Sequence, residues 1–225
     1  EQLQQQLELE QVDSILIIAM MTRLRQICCE PRMLYENYKG ESTKFTMCLE
    51  LIETLKENGK KVLLFSSFTS IFDSFIEEFK QRGIKYHMIT GAVDKKKRKE
   101  EVDAFQSDDS DVFLISLKAG GTGLNLTKAQ AVIHYDPWWN VSAQNQATDR
   151  AYRIGQTKNV LVYQLLMKNT IEAKIYEMQK RKKEMSDIFV ENSNGGISTL
   201  SKEELRDLFS MAVSYTHLTL PTILR

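Results

Sequence analysis

Residues 111–140 read DVFLISLKAGGTGLNLTKAQAVIHYDPWWN, in which two short apolar runs lie on either side of a glycine-rich loop. Apolar runs of this length, bounded by turn residues, are typical of buried strands. Similar runs predict five strands, at 61–66, 85–90, 111–116, 131–135 and 160–165. Longer amphipathic patterns alternate with them, at about 43–58, 69–81, 94–106 and 142–153. This alternation predicts an α/β fold with a mainly parallel sheet.

Longer segments flank the alternating region. Apolar residues at near-helical intervals predict one helix over 3–29, which Pro31 ends, and another over 170–189. Residues 212–225 carry one charge in fourteen positions and continue no periodicity. We therefore expect this tail to derive from cloning and to lie outside the fold. The first residue is not Met, which suggests a fragment.

Composition bounds the class of protein. The 225 residues are 42% hydrophobic and 27% charged, which is typical of a folded globular chain and excludes collagen-like and largely disordered proteins. Lys plus Arg and Asp plus Glu both number 30, so any contact with nucleic acid must come from local patches. The sequence contains neither a membrane-length apolar run nor a signal peptide pattern. An odd set of cysteines, Cys28, Cys29 and Cys48, is typical of reduced thiols in an intracellular protein.

The segment QATDRAYRIGQ at 146–156 contains the most informative pattern for a ligand site. A helix would place four polar residues on one face, namely Gln146, Asp149, Arg150 and Arg153. Alanines at 143, 147 and 151 form a second stripe, which predicts close packing on the sheet and an outward polar face. Two arginines one turn apart suit a polyphosphate, because each offers a planar set of donors. A surface ion pair between Asp149 and Arg153 is the simpler alternative.

Two further features follow predicted strands. Gly120, Gly121 and Gly123 follow the third strand, and their backbone can approach a ligand closely, although an ordinary tight turn gives the same pattern. This loop is not a Walker loop, because no Gly-Lys-Ser/Thr follows it. Trp138 and Trp139 follow the fourth strand, and since successive strand residues face opposite sides, we expect one ring to point outward. Packing of both rings under a loop is the alternative.

The order of these segments resembles the second RecA-like lobe of superfamily-two helicases, specifically that of Swi/Snf-type DNA-dependent ATPases. The segments that carry the resemblance are TRLRQICCEPRML (22–34), KVLLFSSFT (61–69), ITGAVDKKKRKEEVDAF (89–105), FLISLKAGGTGLNLTKAQAVIHYDPWWN (113–140), QATDRAYRIGQTK (146–158) and TIEAKIYEMQKRK (170–182). The resemblance implies a RecA-like three-layer sandwich, preceded and followed by long helices. It also implies ATP with Mg²⁺ in a cleft shared with a first lobe. That lobe would hold the Walker lysine and the Mg²⁺-binding acidic residues, and neither motif occurs in this sequence.

The resemblance assigns roles around ATP. Arg150 and Arg153 match the family's arginine fingers, which contact the β- and γ-phosphates. Gln146 matches the residue that helps to couple nucleotide and DNA, and Asp149 is expected to orient the fingers. The loop that communicates between ATP and DNA is matched by Gly121, Gly123 and Asn125. Tyr152 departs from the family pattern, which usually has His between the arginines.

A second set of residues is expected to contact DNA. Lys118 occupies a basic position used on phosphate, and Trp139 and Asn140 match the family's Trp-Asn pair near DNA. Ser66, Ser67 and Thr69 end the first strand, where they can bind a DNA phosphate or form an ordinary N-cap. A predicted helix begins with cations that include Lys95, Lys96 and Arg98, and we expect Asp94 to cap it. Cations at a helix start oppose the helix dipole, which favours a polyanion partner. A solvated charged face is the alternative. Ala92-Val93 departs from the family pattern by replacing a hydroxyl pair.

These assignments predict how the chain is organised and what it does. We expect a helical lead-in from a first lobe at 1–42, a RecA-like lobe with its closing helix at 43–190, an extension at 191–211 and the tail at 212–225. The predicted function is the second motor lobe of an ATP-driven translocase on double-stranded DNA. The protein is expected to be intracellular and DNA-associated, in the cytoplasm or nucleoid or in the nucleus. The lobe would bind DNA without sequence preference, act with the N-terminal lobe of the same protein, and be inactive alone. A non-catalytic docking module for protein or RNA is the alternative.

Overall fold

The computed structural model describes residues 14–120, 124–138, 141–152, 156, 158–188 and 222–224. Its helices are α1 (Ser14–Cys29), α2 (Thr43–Glu57), α3 (Ile71–Gln81), α4 (Lys95–Ser107), α5 (Leu117–Gly120), α6 (Val141–Thr148) and α7 (Ile171–Ile188). A single 3₁₀ turn, Pro31–Met33, follows α1 in the part described. The strands are β1 (Lys61–Ser66), β2 (Tyr86–Ile89), β3 (Val112–Ser116), β4 (Ala129–His134), β5 (Leu161–Leu166) and β6 (Thr222–Leu224).

The six strands form one sheet in the order β2-β3-β1-β4-β5-β6. The first five are parallel, and the five strands predicted from the sequence are confirmed within two residues at each end. The edge strand β6 pairs antiparallel with β5. Part of the tail at 212–225 therefore joins the sheet, contrary to the expectation that all of it lies outside the fold. An edge strand such as β5 presents free backbone groups, with which a short β-branched segment can pair.

Apolar side chains cover both faces of the sheet. Successive residues of β1 point to opposite faces, so Val62 and Leu64 pack with α2 and α3 while Leu63 and Phe65 pack with α4 and α6. All four side chains are fully buried. Burial on both faces explains why β1 is a continuous apolar run rather than an alternating one. The predicted three-layer architecture is confirmed.

Glycines end two of the helices that cover one face. Gly59 follows α2 with φ +64°, and Gly83 follows α3 with φ +60°. Both backbones are in the left-handed region, which glycine adopts without the steric cost that a Cβ brings. The predicted helix ends at these two glycines are therefore confirmed.

A buried ion pair joins α2 to the closing helix α7. Lys44, in the first turn of α2, places Nζ 2.6 Å and 2.7 Å from the two carboxylate oxygens of Glu172, in the first turn of α7. Burial lowers the pKa of Lys44, but the charge and hydrogen bonds of Glu172 and the charge of Asp136 act together with other nearby groups to outweigh burial, so the net pKa is raised and the ammonium stays charged. The sequence analysis did not identify this pair.

The lead-in region and the cysteines agree with the expectations where the structure describes them. α1 begins at Ser14, so the predicted helical segment before it lies outside the described residues. Cys28, Cys29 and Cys48 are free thiols, and burial raises the pKa of Cys28 to about 11. Within the described ranges, no helix has the length and apolar character that crossing a membrane requires.

Candidate functional site

The carboxyl ends of three central strands lie side by side. In the register of the parallel sheet, Ser66 of β1 is opposite Ser116 of β3, and Phe65 of β1 is opposite His134 of β4. The loops after these strands therefore leave the sheet at the same edge. Open α/β sheets bind their ligands at such an edge.

Asp136 is the buried centre of this edge. Its Oδ1 accepts hydrogen bonds from Ser66 Oγ at 2.8 Å and from the Ser67 amide at 2.9 Å. Its Oδ2 accepts one from Arg25 Nη2 at 2.8 Å. Asp136 is fully buried, and a buried carboxylate requires donors of this kind because an uncompensated charge is costly. Neither Asp136 nor Arg25 was predicted as a site residue, although both lie in segments that carry the family resemblance.

The three hydroxyl residues predicted to contact DNA occupy different environments. Ser66 is fully buried and its hydroxyl binds inside the lobe, so the predicted direct contact of Ser66 with DNA is wrong. Ser67 is half-buried and accepts a hydrogen bond from Arg25 at 3.1 Å, whereas Thr69 is exposed. The N-cap alternative does not apply to them, because Ser70 precedes α3 and makes no side-chain cap bond.

The segment 146–156 is not one continuous helix. α6 ends at Thr148, and the amides of Ala151 and Tyr152 turn back onto the Thr148 carbonyl at 3.0 Å and 3.4 Å. The Thr148 hydroxyl donates to the Gln144 carbonyl at 3.3 Å, a local bond that competes with regular helix. The predicted helix to residue 153 is therefore wrong at its carboxyl end, and the helical face proposed for its polar residues does not continue past Thr148.

Arg150 lies inside the lobe. Its exposed fraction is 4%, which contradicts the expectation that its guanidinium faces solvent, whereas Gln146 and Asp149 are exposed. Ala147 and Ala151 are buried, so this part of the predicted alanine stripe is confirmed.

Backbone and amide contacts bind this segment to the start of β4. The Leu126 amide donates to the Arg150 carbonyl at 3.1 Å. The side-chain amide of Gln156 donates to the carbonyls of Thr127 at 2.9 Å and Ala129 at 2.8 Å. The sequence analysis gave Gln156 no role. These contacts hold the backbone around Arg150 next to residues 126–129, which follow the glycine-rich loop.

His134 connects the other end of β4 to α6. Its Nε2 lies 2.9 Å from Thr148 Oγ1, and its ring stacks on Phe65 with centroids 5.6 Å apart. Burial lowers the pKa of His134 to about 4, so the ring is neutral near pH 7. A neutral, stacked ring of this kind is a packing residue.

The positively charged start of α4 has the predicted geometry. Asp94 caps the helix through a bond from the Lys97 amide to Oδ1 at 2.9 Å. Lys95 and Lys96 are exposed, and Arg98 is half-buried with Nη2 donating to the Val93 carbonyl at 3.2 Å. Two of the three cations proposed for DNA on this helix are therefore presented to solvent.

Several proposed site residues lie outside the described part of the chain. These are Gly121, Gly123, Trp139, Asn140 and Arg153. Lys118 lies in α5, but its side chain is also outside the description. Asn125 is exposed, and Trp138 is half-buried against the apolar layer that includes α4.

Comparison with known proteins establishes the family. A family model described as helicase conserved C-terminal domain matches residues 43–155, about half of the chain. The chain therefore belongs to the helicase conserved C-terminal domain family. Its similarity to SWI2/SNF2 ATPase lobes confirms the resemblance inferred from the ordered segments.

The most informative structural similarities are to proteins of Sulfolobus solfataricus. The chain is 32% identical to a SWI2/SNF2 ATPase core in complex with dsDNA, with a TM-score of 0.72, covering 89% of this chain and 43% of that one. It is 27% identical to a SWI2/SNF2 ATPase C-terminal domain, with a TM-score of 0.69, covering 89% and 83%.

A curated relative shows how much of a longer protein such a chain represents. The chain is 40% identical over 207 residues to an uncharacterized ATP-dependent helicase of Mycoplasma pneumoniae, covering 90% of this chain and 20% of that protein. The chain spans about a fifth of the length of this and two other curated relatives that it matches.

Proposed function

We propose that this chain is the second motor lobe of an ATP-driven translocase on double-stranded DNA. The N-terminal lobe of the same protein would bind ATP and Mg²⁺, and this lobe would complete the site and provide part of the DNA-tracking surface. The observation that carries the proposal is the structural similarity to a SWI2/SNF2 ATPase core in complex with dsDNA. The whole protein would act wherever duplex DNA is present, in nucleoid or nucleus.

In this proposal Arg150 and Arg153 are the arginine fingers. A fixed guanidinium can stabilise the charge that develops on the transferred phosphoryl group. The burial of Arg150 favours Arg153 as the finger that reaches ATP first, with Arg150 becoming available only if the cleft rearranges. In this proposal exposed Gln146, near the end of α6, couples nucleotide and DNA, and exposed Asp149, just after α6, orients the fingers.

The test of this proposal is an ATPase assay on the full-length protein with and without duplex DNA. We expect Arg153→Ala to lower DNA-stimulated turnover by about 10³-fold or more, because an arginine finger typically contributes that much. Arg181→Ala is the matched control, since Arg181 is an exposed arginine of α7 and should leave turnover unchanged. Unaffected turnover in Arg153→Ala would instead favour the docking module. The 225-residue chain alone should show no turnover.

The exposed lysines at the start of α4 provide a test of the DNA surface. Replacing Lys95 and Lys96 by Glu should weaken binding to duplexes of any sequence by a similar factor, because phosphate contacts carry no base identity. The slope of log affinity against log salt should fall by about one per lost contact. Lys80→Glu, at an exposed lysine of α3, is the control. Equal affinity and slope in the variant and the parent would remove α4 from the DNA surface.

A further inference from the structure

Arg25 is a buried cation whose role the family motifs do not specify. It lies on α1, the helix that leads into the lobe, and only 6% of it is exposed. Burying a guanidinium costs several kcal/mol unless hydrogen bonds compensate for the lost water. The position of its partners indicates what this arrangement does.

Arg25 contacts two loops of the lobe. Nη2 lies 2.8 Å from Asp136 Oδ2, 2.8 Å from the Pro137 carbonyl and 3.1 Å from Ser67 Oγ. The guanidinium also lies over the ring of Phe68, 5.0 Å from its centroid. Ser67 and Phe68 follow β1, whereas Asp136 and Pro137 follow β4. One side chain of α1 therefore holds both loops.

Asp136 extends this connection into the backbone. Its second oxygen accepts bonds from the Ser66 hydroxyl and the Ser67 amide, so the loop after β1 is bound to the loop after β4 on both sides of the carboxylate. Exposed Thr69 lies two residues beyond Ser67, and the proposed Trp-Asn pair begins two residues beyond Pro137. The two loops that Arg25 holds thus lead directly to residues proposed to contact DNA.

We propose that Arg25 is a positioning residue for duplex binding. It fixes the loops after β1 and β4 relative to each other, so that their DNA-facing residues contact the backbone of one duplex together. A guanidinium suits this task better than an ammonium, because its planar group also lies over the Phe68 ring while Nη2 donates to the two loops. This inference rests on the proposed translocase function and adds a residue that touches neither ATP nor DNA.

The test measures the DNA concentration that gives half-maximal ATPase stimulation in the full-length protein. We expect Arg25→Ala to raise this concentration about tenfold, the loss typical of one hydrogen bond to a charged group, and to leave kcat at saturating duplex within about twofold of the parent. Arg25→Lys should give an intermediate value. Arg23→Ala is the matched control, because Arg23 is an exposed arginine of the same helix. A folded Arg25→Ala variant with an unchanged half-maximal concentration would overturn the proposal.

Hydrogen exchange gives a second readout that does not depend on DNA. Arg25→Lys should accelerate exchange of the Ser67 and Phe68 amides, whose acceptors are Asp136 Oδ1 and Ser66 Oγ, while amides within α3 keep their protection. Unchanged exchange at both amides would show that Arg25 does not order the loop. If duplex does not stimulate the ATPase activity of the parent protein, the translocase proposal fails. If duplex stimulates the parent but Arg25→Ala has the same half-maximal duplex concentration, only the role of Arg25 is refuted.

Discussion

The ion pair between Lys44 and Glu172 makes a quantitative prediction about what fixes the closing helix. The two side chains are 1% and 0% exposed, and Glu172 Oε2 also accepts a bond from the Met167 amide at 3.1 Å. Lys44→Met would leave a carboxylate buried without its counter-charge, and Glu172→Gln would leave a buried ammonium. Each single change should lower the free energy of unfolding by about 3–5 kcal/mol. That is a large fraction of the roughly 5–15 kcal/mol that stabilises a typical domain.

The double variant separates the charge from the packing. Lys44→Met combined with Glu172→Gln removes both charges while keeping an amide oxygen that can accept the Met167 hydrogen bond. The double variant should lose about 1–2 kcal/mol of the free energy of unfolding, well below the sum of the losses in the single variants, because no uncompensated charge remains. Lys80→Met, at an exposed lysine, is the control and should change stability by less than about 0.5 kcal/mol.

Urea unfolding followed by circular dichroism measures these differences. With a slope of about 2–3 kcal/mol per molar urea, the single variants should shift the midpoint down by roughly 1–2 M. Additive losses in the double variant, or single losses below about 1 kcal/mol, would show that the buried charges do not stabilise each other.

Three further predictions concern stability. Burial lowers the pKa of His87, but hydrogen bonds with Asp108 and Glu101 outweigh it and raise the pKa above 6.5. Stabilisation by His87 should therefore be complete below about pH 6.5 and be lost as pH rises through the raised pKa. The urea midpoints of the parent and of His87→Gln, measured against pH, should therefore converge as pH rises. A constant difference between the two midpoints at all pH values would contradict this. Gly59→Ala should lower the free energy of unfolding in urea by about 1 kcal/mol through backbone strain alone, since no atom lies within 4 Å of the added Cβ. An unchanged urea midpoint would argue against that strain. Asp94→Ala should lower the free energy of unfolding by about 1 kcal/mol in the same assay, whereas Asp94→Asn should retain most of the stability that the cap provides. Equal losses of stability in the two variants would exclude capping.

Local rules predicted the elements that depend on neighbouring residues. The apolar runs predicted β1 and the four strands that run parallel to it, because a strand covered on both faces needs a continuous apolar sequence. Glycine at 59 and aspartate at 94 predicted a helix end and a helix start, since both depend on the local backbone. The polar face of 146–153 was predicted incorrectly, because helical spacing alone cannot show that Thr148 turns its hydroxyl to Gln144 and His134.

The amino-acid sequence by itself determined the α/β class, the order of the strands along the chain and the family resemblance, because short-range periodicity and ordered motifs encode these features. Only the tertiary structure decided which charges meet. Arg25 and Asp136 are 111 positions apart, and Lys44 and Glu172 are 128 positions apart. No local pattern links residues at such separations, and it is the parallel sheet that brings the loops and helix ends carrying them together.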